Sequence, residues 1–155
     1  MAPAGSFESL AAALQGGADS VYFGIGKLNM RSRATANFAE EDLPEIVARC
    51  HETGAKAYLT LNIIVYDEEL ETVRNLCAAA KAAGVDAVIA SDLAVITHAH
   101  SIGLEVHMSV QANVCNMASV RFYAQYADVV VLARELTLGQ IRRIIDGIRD
   151  EGIRG

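Results

Sequence analysis

The side chains best suited to chemistry stand in one run, residues 104–116, Leu-Glu-Val-His-Met-Ser-Val-Gln-Ala-Asn-Val-Cys-Asn. Glu105, His107, Ser109, Gln111 and Asn113 alternate there with Val106, Met108, Val110, Ala112 and Val114. A strand sends successive side chains to opposite faces, so the spacing predicts a strand over Glu105–Gln111 with one apolar and one polar face. Strands of a parallel sheet are covered on both sides and normally read as unbroken apolar runs. A polar stripe in such a sheet needs partners, which a bound ligand or ordered water supplies. On a half-exposed strand the same stripe simply faces water. His107 and Ser109 are not a nucleophile and base pair, because side chains two apart on a strand project in parallel.

Other candidates fall at strand ends. Asn62 closes Tyr58-Leu-Thr-Leu-Asn62, where Tyr58, Thr60 and Asn62 share one face. Arg134 and Glu135 follow Val129–Ala133, as ligand contacts or as charges paired with neighbours. The segment from Gly24 to Phe38 is far longer than an ordinary connection between strand and helix. It carries Lys27, Arg31 and Arg33 beside Asn29 and Asn37 with no acid. In an acidic chain that makes a local cationic lid suited to phosphate or carboxylate, or else a solvated loop. Gly24-Ile25-Gly26 opens like a dinucleotide fingerprint but lacks its third glycine and its helix. Neither His-Glu-x-x-His nor Cys-x-x-Cys occurs, and His98 and His100 fall on different helix faces, so no metal site is expected. Cys115 reads as a small buried filler.

The elements that must position these residues are punctuated by one repeated junction. Gly17-Ala-Asp-Ser-Val21, Gly54-Ala-Lys-Ala-Tyr58, Gly84-Val-Asp-Ala-Val88 and Gly103-Leu-Glu-Val106 share glycine, small or apolar residue, charge, strand. Glycine takes the left-handed conformation that ends a helix, so each is a helix-to-strand junction. Ala127-Asp128-Val129 is a version without glycine. Apolar stripes at helical spacing lie between them: Phe7, Leu10, Ala11 and Leu14 behind a Ser6 cap; Leu43, Ile46, Val47 and Cys50 with Pro44 in the first turn; Val73, Leu76, Cys77 and Ala80. A short helix over 93–101 follows, then Val120, Tyr123, Ala124 and Ala127, then Ile141, Ile144, Ile145 and Ile148. The acid clusters Glu40–Asp42 and Asp67–Glu69 sit at helix starts, where they complement the dipole.

Strands are expected at Val21–Gly24, Lys56–Asn62, Ala87–Ser91, Glu105–Gln111 and Val129–Ala133, with a further one before Pro3 that is almost wholly missing. Alternating strands and helices mean a parallel sheet, either doubly wound or a (β/α) barrel. A full barrel needs about 250 residues, so this chain would be an incomplete one. Function in either architecture collects at the carboxyl ends of the strands: the Ala2–Gly5 turn, Gly24, Asn62, Ser91-Asp92, the His107–Asn113 stripe and Arg134-Glu135.

The chain has 155 residues, 52% hydrophobic and 21% charged, which suits one folded domain. A net charge of −6 argues against a broadly basic nucleic-acid surface. No apolar run approaches the roughly 18 residues that span a bilayer, and no charged-then-apolar leader opens the chain. Three widely spaced cysteines, Cys50, Cys77 and Cys115, suit reduced thiols and a cytoplasmic location.

Several of these segments, taken in order, resemble the N-terminal part of the peptidase U32, or collagenase-like, family. They are Ala2-Pro-Ala-Gly-Ser6, Gly17-Ala-Asp-Ser-Val-Tyr-Phe-Gly24, Asn37-Phe38, Thr60-Leu-Asn62, His107-Met-Ser-Val-Gln111 with Asn113, and Leu132-Ala-Arg-Glu-Leu136. The resemblance covers essentially the whole chain. It implies an incomplete TIM-type (β/α) barrel of about six βα units rather than a doubly wound sheet. Members carry a full first strand before Ala-Pro-Ala-Gly, so Met1 is expected to be internal to a longer protein, with 1–155 its N-terminal (β/α) domain. The family's cysteine-containing signature follows this region. In better-understood relatives, downstream cysteines bind an iron–sulfur cluster. Those relatives hydroxylate RNA bases or the ubiquinone ring without oxygen, with prephenate as hydroxyl source. None of the three cysteines here matches those positions, so no cofactor is expected in this chain and the cluster is assigned to the full-length parent.

The residues at the strand ends are then expected to bind substrate: Asn29, Arg31, Asn62, His107, Ser109, Gln111, Asn113, Arg134 and Glu135. The substrate would be RNA, a small aromatic or a peptide, and no catalytic group is identified. The alternatives are a genuine peptidase, as the family name says, or a non-catalytic binding scaffold when the chain is isolated. The isolated segment is expected to be inactive, and to self-associate through unpaired sheet edges.

Overall fold

Each helix except the last is followed by a strand that lies beside the preceding one. The computed structural model describes residues 1–26 and 38–153. In chain order the elements are β1 (Ala2–Ala4), α1 (Phe7–Gln15), β2 (Ser20–Phe23), α2 (Leu43–Glu52), β3 (Lys56–Leu61) and α3 (Leu70–Ala83). Then come β4 (Ala87–Ala90), α4 (Leu93–Ser101), β5 (Val106–Met108), α5 (Met117–Tyr123), β6 (Val129–Val130) and α6 (Leu138–Asp150). The strands form one parallel sheet in the order β1-β2-β3-β4-β5-β6. A doubly wound sheet requires a reversal of strand order, and none occurs. The sequential order is that of a TIM-type barrel; β1 and β6 do not pair, so the barrel is partial and the sheet open.

The junctions work as their residue types require. Gly17, Gly54, Gly84 and Gly103 have φ of 76°, 75°, 82° and 70°, the left-handed region that side chains with a Cβ rarely enter. The charge that follows ties strands together at their amino ends. Asp86 accepts a hydrogen bond from the Ala57 N–H at 2.7 Å, and Asp128 accepts one from the Val106 N–H at 2.9 Å. Both amides lie at the start of a strand. The acid clusters also serve the backbone. Glu40–Asp42 and Asp67–Glu69 each form a 3₁₀ turn leading into α2 and α3. Asp42 accepts from the Ala39 N–H at 2.8 Å, and Glu69 from the Tyr66 N–H at 3.0 Å.

Strands β2, β3 and β4 match expectation to within one residue at each end, and the other three depart further. Residues Ala2–Ala4 themselves form β1, with Ala2 opposite Val21 and Ala4 opposite Phe23, so the first strand is short but present. The predicted strand Glu105–Gln111 is only Val106–Met108; Val110–Ala112 form a 3₁₀ turn. The Ser109 side chain accepts from the Gln111 N–H and Asn113 turns left-handed at φ 51°, so local hydrogen bonding displaces the ladder. Strand β6 covers two residues, with an isolated bridge between Val114 and Leu132.

Burial falls from the middle of the sheet to its open side. The predicted stripes of α2 and α3 are buried in full: Leu43, Ile46, Val47 and Cys50, then Val73, Leu76, Cys77 and Ala80. On α6 only Ile144 is buried, and Ile145 is 39% exposed. An interior helix packs over two strands, whereas α6 lies beyond the last one. It packs instead on α5, where Gly147 permits close approach: a Cβ there would lie 2.9 Å from the Met117 Sδ.

Two outcomes follow. Ile46→Ala should cost about 2–5 kcal/mol in urea denaturation, against less than about 1 kcal/mol for Ile145→Ala. Equal losses would contradict the burial gradient. We also propose that the open edges at β1 and β6 pair with further copies, so sedimentation of the chain should show mass rising with concentration. A strictly monomeric species at high concentration would reject that.

Candidate functional site

At the carboxyl ends of β3, β4 and β5 the chain leaves the sheet through polar residues, and these surround a cleft of ≈ 330 Å³. Its walls are Asn62, Ile63, Ile64, Ser91, Asp92 and Gln111. Asn62 is the first residue after β3 and Ser91 the first after β4; Gln111 comes from the 3₁₀ turn beyond β5. Register explains the convergence. Leu61 lies opposite Ala90 and Ala90 opposite Met108, so the three strands finish side by side.

Two contacts hold the walls in place. Asp92 caps α4 by accepting from the Ala94 N–H through Oδ1 at 2.8 Å. Its Oδ2 accepts from the Val65 N–H at 3.2 Å, which ties the segment after Asn62 to the start of α4. With both oxygens engaged by backbone donors, Asp92 is a clamp and not a free base. Ser109 is buried at 4% exposure, and its hydroxyl donates to Gln111 Oε1 at 3.2 Å. That bond turns the Gln111 NH₂ group away from Ser109, available as a donor.

His107 does not reach the cleft. It lies lower on the inner face of the sheet, opposite Ile89 and Val129. Its Nε2 is 2.7 Å from Glu105 Oε1, and its ring meets Tyr58 edge-on at 4.8 Å between centroids. The imidazole side chain is 12% exposed. Ser109 and His107 therefore have different partners, and no nucleophile is joined to a base here. Asn113 is exposed and serves the turn with its left-handed backbone. Arg134 and Glu135 are exposed in a turn before α6; among the described residues neither forms an ion pair, and neither lines the cleft. Asn29 and Arg31, with Lys27, Arg33 and Asn37, lie outside the described residues. Thus Asn62 and Gln111 are brought together, with Ser109 beneath Gln111. Ser91 and Asp92 were marked by their position at a strand end, whereas Ile63 and Ile64 carried no signal.

Four depressions are larger, of ≈ 900, 420, 380 and 360 Å³, and none draws its lining from three strand ends; the first and third show the contrast. A groove of ≈ 900 Å³ runs along the outer helical layer, lined by Pro44, Ala79, Ala82 and Ala83 with Glu40, Glu41 and His51. Another of ≈ 380 Å³ is apolar and lies between β6, α5 and α6. Neither sits at the strand ends where polar groups gather, so the smaller cleft is the better candidate.

Among the described residues no group of three or more His, Cys, Asp or Glu could hold a metal ion. Cys50 and Cys77 are buried on α2 and α3, and burial pushes both thiols up to about 11, with Asp86 adding to the effect at Cys50. Cluster ligands are thiolates drawn to one point, so these residues do not fit an iron–sulfur cluster. Cys115, expected as a buried filler, is exposed, because the chain has already left the sheet there. No helix is long and apolar enough to cross a membrane among the described residues.

Comparison with known proteins adds to this geometry. The family model described as Peptidase family U32 matches residues 5–152. A protein of Porphyromonas gingivalis named "Collagenase" is 51% identical over 155 residues, 100% of this chain and 37% of that protein. The "tRNA hydroxylation protein P1" of Bacillus subtilis is 35% identical over 147 residues, 93% of this chain and 35% of that protein. The chain thus spans little more than a third of these relatives. The solved structure of the U32 peptidase Mk0906 superposes with a TM-score of 0.75 at 15% identity, over 94% of this chain and 63% of that one, a likeness of fold alone.

The thiols allow a direct check. At about pH 8 one thiol per native chain, Cys115, should react rapidly with a disulfide reagent, and all three in denaturant. The stability linked to Cys50 and Cys77 is intact below their ordinary 9.0 and is lost as pH rises through about 11. Rapid reaction of two or more native thiols would contradict the burial.

Proposed function

The chain belongs to peptidase family U32, and from that premise we propose that it forms the substrate-side wall of an enzyme that hydroxylates RNA bases rather than one that cuts peptide bonds. The observation that carries this reading is the strand-end cleft itself. It is lined by the neutral polar side chains of Asn62, Ser91 and Gln111. The groups that could break a bond are engaged elsewhere: Asp92 by two backbone amides, Ser109 by Gln111, His107 by Glu105. Such a wall binds and orients, and the reaction needs chemistry from other parts of the protein. The relative named for tRNA hydroxylation supports the same reading. An RNA substrate would also place the protein in the cytoplasm. The residues of this chain do not fit an iron–sulfur cluster, and the isolated chain is expected to be a binding scaffold without turnover.

A peptidase is the second reading, supported by 51% identity to a protein named "Collagenase". Nucleoside mass spectrometry separates the two. Deleting the gene should remove a hydroxylated nucleoside from tRNA or rRNA, and restoring it should bring that nucleoside back. Unchanged nucleosides, together with collagen cleavage that survives iron chelation, would reverse the assignment.

A further inference from the structure

We propose that the depression between α3 and α4, on the outer helical layer, is a binding site that takes the phosphate group of a hydroxyl-bearing ester through Arg74 and His98. It lies away from the strand-end cleft and holds whether or not the RNA reading does.

Charge singles it out. The chain carries a net charge of −6, and the other four depressions each bring a carboxylate to their walls: Glu40 and Glu41, Asp128, Asp92, and Glu40 with Glu69. The one of ≈ 360 Å³ brings none; its polar walls are Arg74 from α3 and Thr97, His98 and Ser101 from α4. Anions are repelled from the others and attracted here. The donors are also uncommitted. Arg49, Arg121 and Arg149 each form an ion pair with an acid. Among the described residues Arg74 forms none, although Glu71 stands one turn earlier on α3, and the His98 ring has no hydrogen-bond partner. A guanidinium presents a planar fork of N–H groups that matches phosphate oxygens, and an imidazole adds a further N–H. The carbonyl end of α4 does not oppose an anion, because Lys81, two turns after Arg74, donates to the Ile102 carbonyl there.

The hydroxyls say what must accompany the phosphate. Thr97 Oγ1 donates to the Leu93 carbonyl and Ser101 Oγ to the His98 carbonyl, each at 2.7 Å. A hydroxyl has one proton, so both oxygens are left with lone pairs alone. They cannot donate to phosphate, but they can accept from an alcohol. The fitting ligand therefore accepts from Arg74 and His98 and donates to Thr97 and Ser101, as a sugar phosphate does. Leu70, Val73 and Ala94 complete the lining and give the carbon face of a sugar ring an apolar surface.

The test is isothermal titration calorimetry of the whole chain at low salt with ribose 5-phosphate, inorganic phosphate and ribose. Ribose 5-phosphate should bind saturably and more tightly than inorganic phosphate, and ribose should not bind. Arg74→Gln should weaken both phosphates roughly tenfold, the loss of a charge-assisted pair of hydrogen bonds. Thr97→Val should weaken ribose 5-phosphate alone. Arg142→Gln removes an exposed arginine of α6 that forms no ion pair among the described residues, and it should change nothing. Arg74 and Thr97 are exposed, so their variants should keep the wild-type thermal transition. A single-stranded oligoribonucleotide identifies the source of the phosphate. Binding that falls with Arg74→Gln places it in a polynucleotide, and binding indifferent to Arg74→Gln, with ribose 5-phosphate still bound, places it in a free ester. Equal affinity for ribose 5-phosphate and inorganic phosphate would overturn the ester. No saturable binding of either phosphate, or equal losses from Arg74→Gln and Arg142→Gln, would overturn the site.

Discussion

Parallel pairing between strands adjacent in sequence is the constraint that the rest of the structure obeys. Every strand is hydrogen-bonded to the next, from Ala2 opposite Val21 to Met108 opposite Val130. Parallel neighbours cannot be joined by a hairpin, so each connection carries the chain back across the sheet, usually through a helix. All carboxyl ends then emerge on one rim and all helix-to-strand junctions on the other. Separation of a supporting rim from a cleft-bearing rim follows from this geometry, whatever chemistry the loops hold.

The two rims use carboxylates differently from what their number suggests. The chain has 19 acidic residues against 13 lysines and arginines. On the supporting rim, Asp86 and Asp128 accept from amides at the starts of neighbouring strands. At the starts of α2 and α3, Asp42 and Glu69 close 3₁₀ turns. On the cleft-bearing rim Asp92 joins two loops through backbone donors. Each of these acids holds main chain in place, and the neutral side chains of Asn62, Ser91 and Gln111 line the cleft beside Asp92. That division separates a rigid frame from an adaptable surface.

Much of the frame was legible in the residues. The stripes on α2 and α3 gave their buried faces residue by residue, because a helix between sheet and solvent has only one apolar face to show. The junction glycines were legible because the left-handed turn admits few other residues. Strand β5 is shorter than its alternation of residues implies. Polar and apolar residues alternate through Gln111, but Ser109 bonds to its own backbone two residues on and turns the chain out of the ladder, which no periodicity reveals. On α6 the stripe of isoleucines was visible, yet only Ile144 is buried, since burial depends on what lies beneath the helix.

The amino-acid sequence by itself determined the parallel α/β class, the helix faces, the junctions and the candidate residues at strand ends, because these depend on local spacing and conformational preference. Only the tertiary structure decided which candidates meet. Strand register brought Asn62, Ser91 and Gln111 to one cleft; the inner face of the sheet took His107 to Glu105 and Tyr58; and the open edge left Arg134 in a turn outside it. Contacts between residues distant in the chain are set by how strands slide against each other, a property that spacing along one strand does not contain.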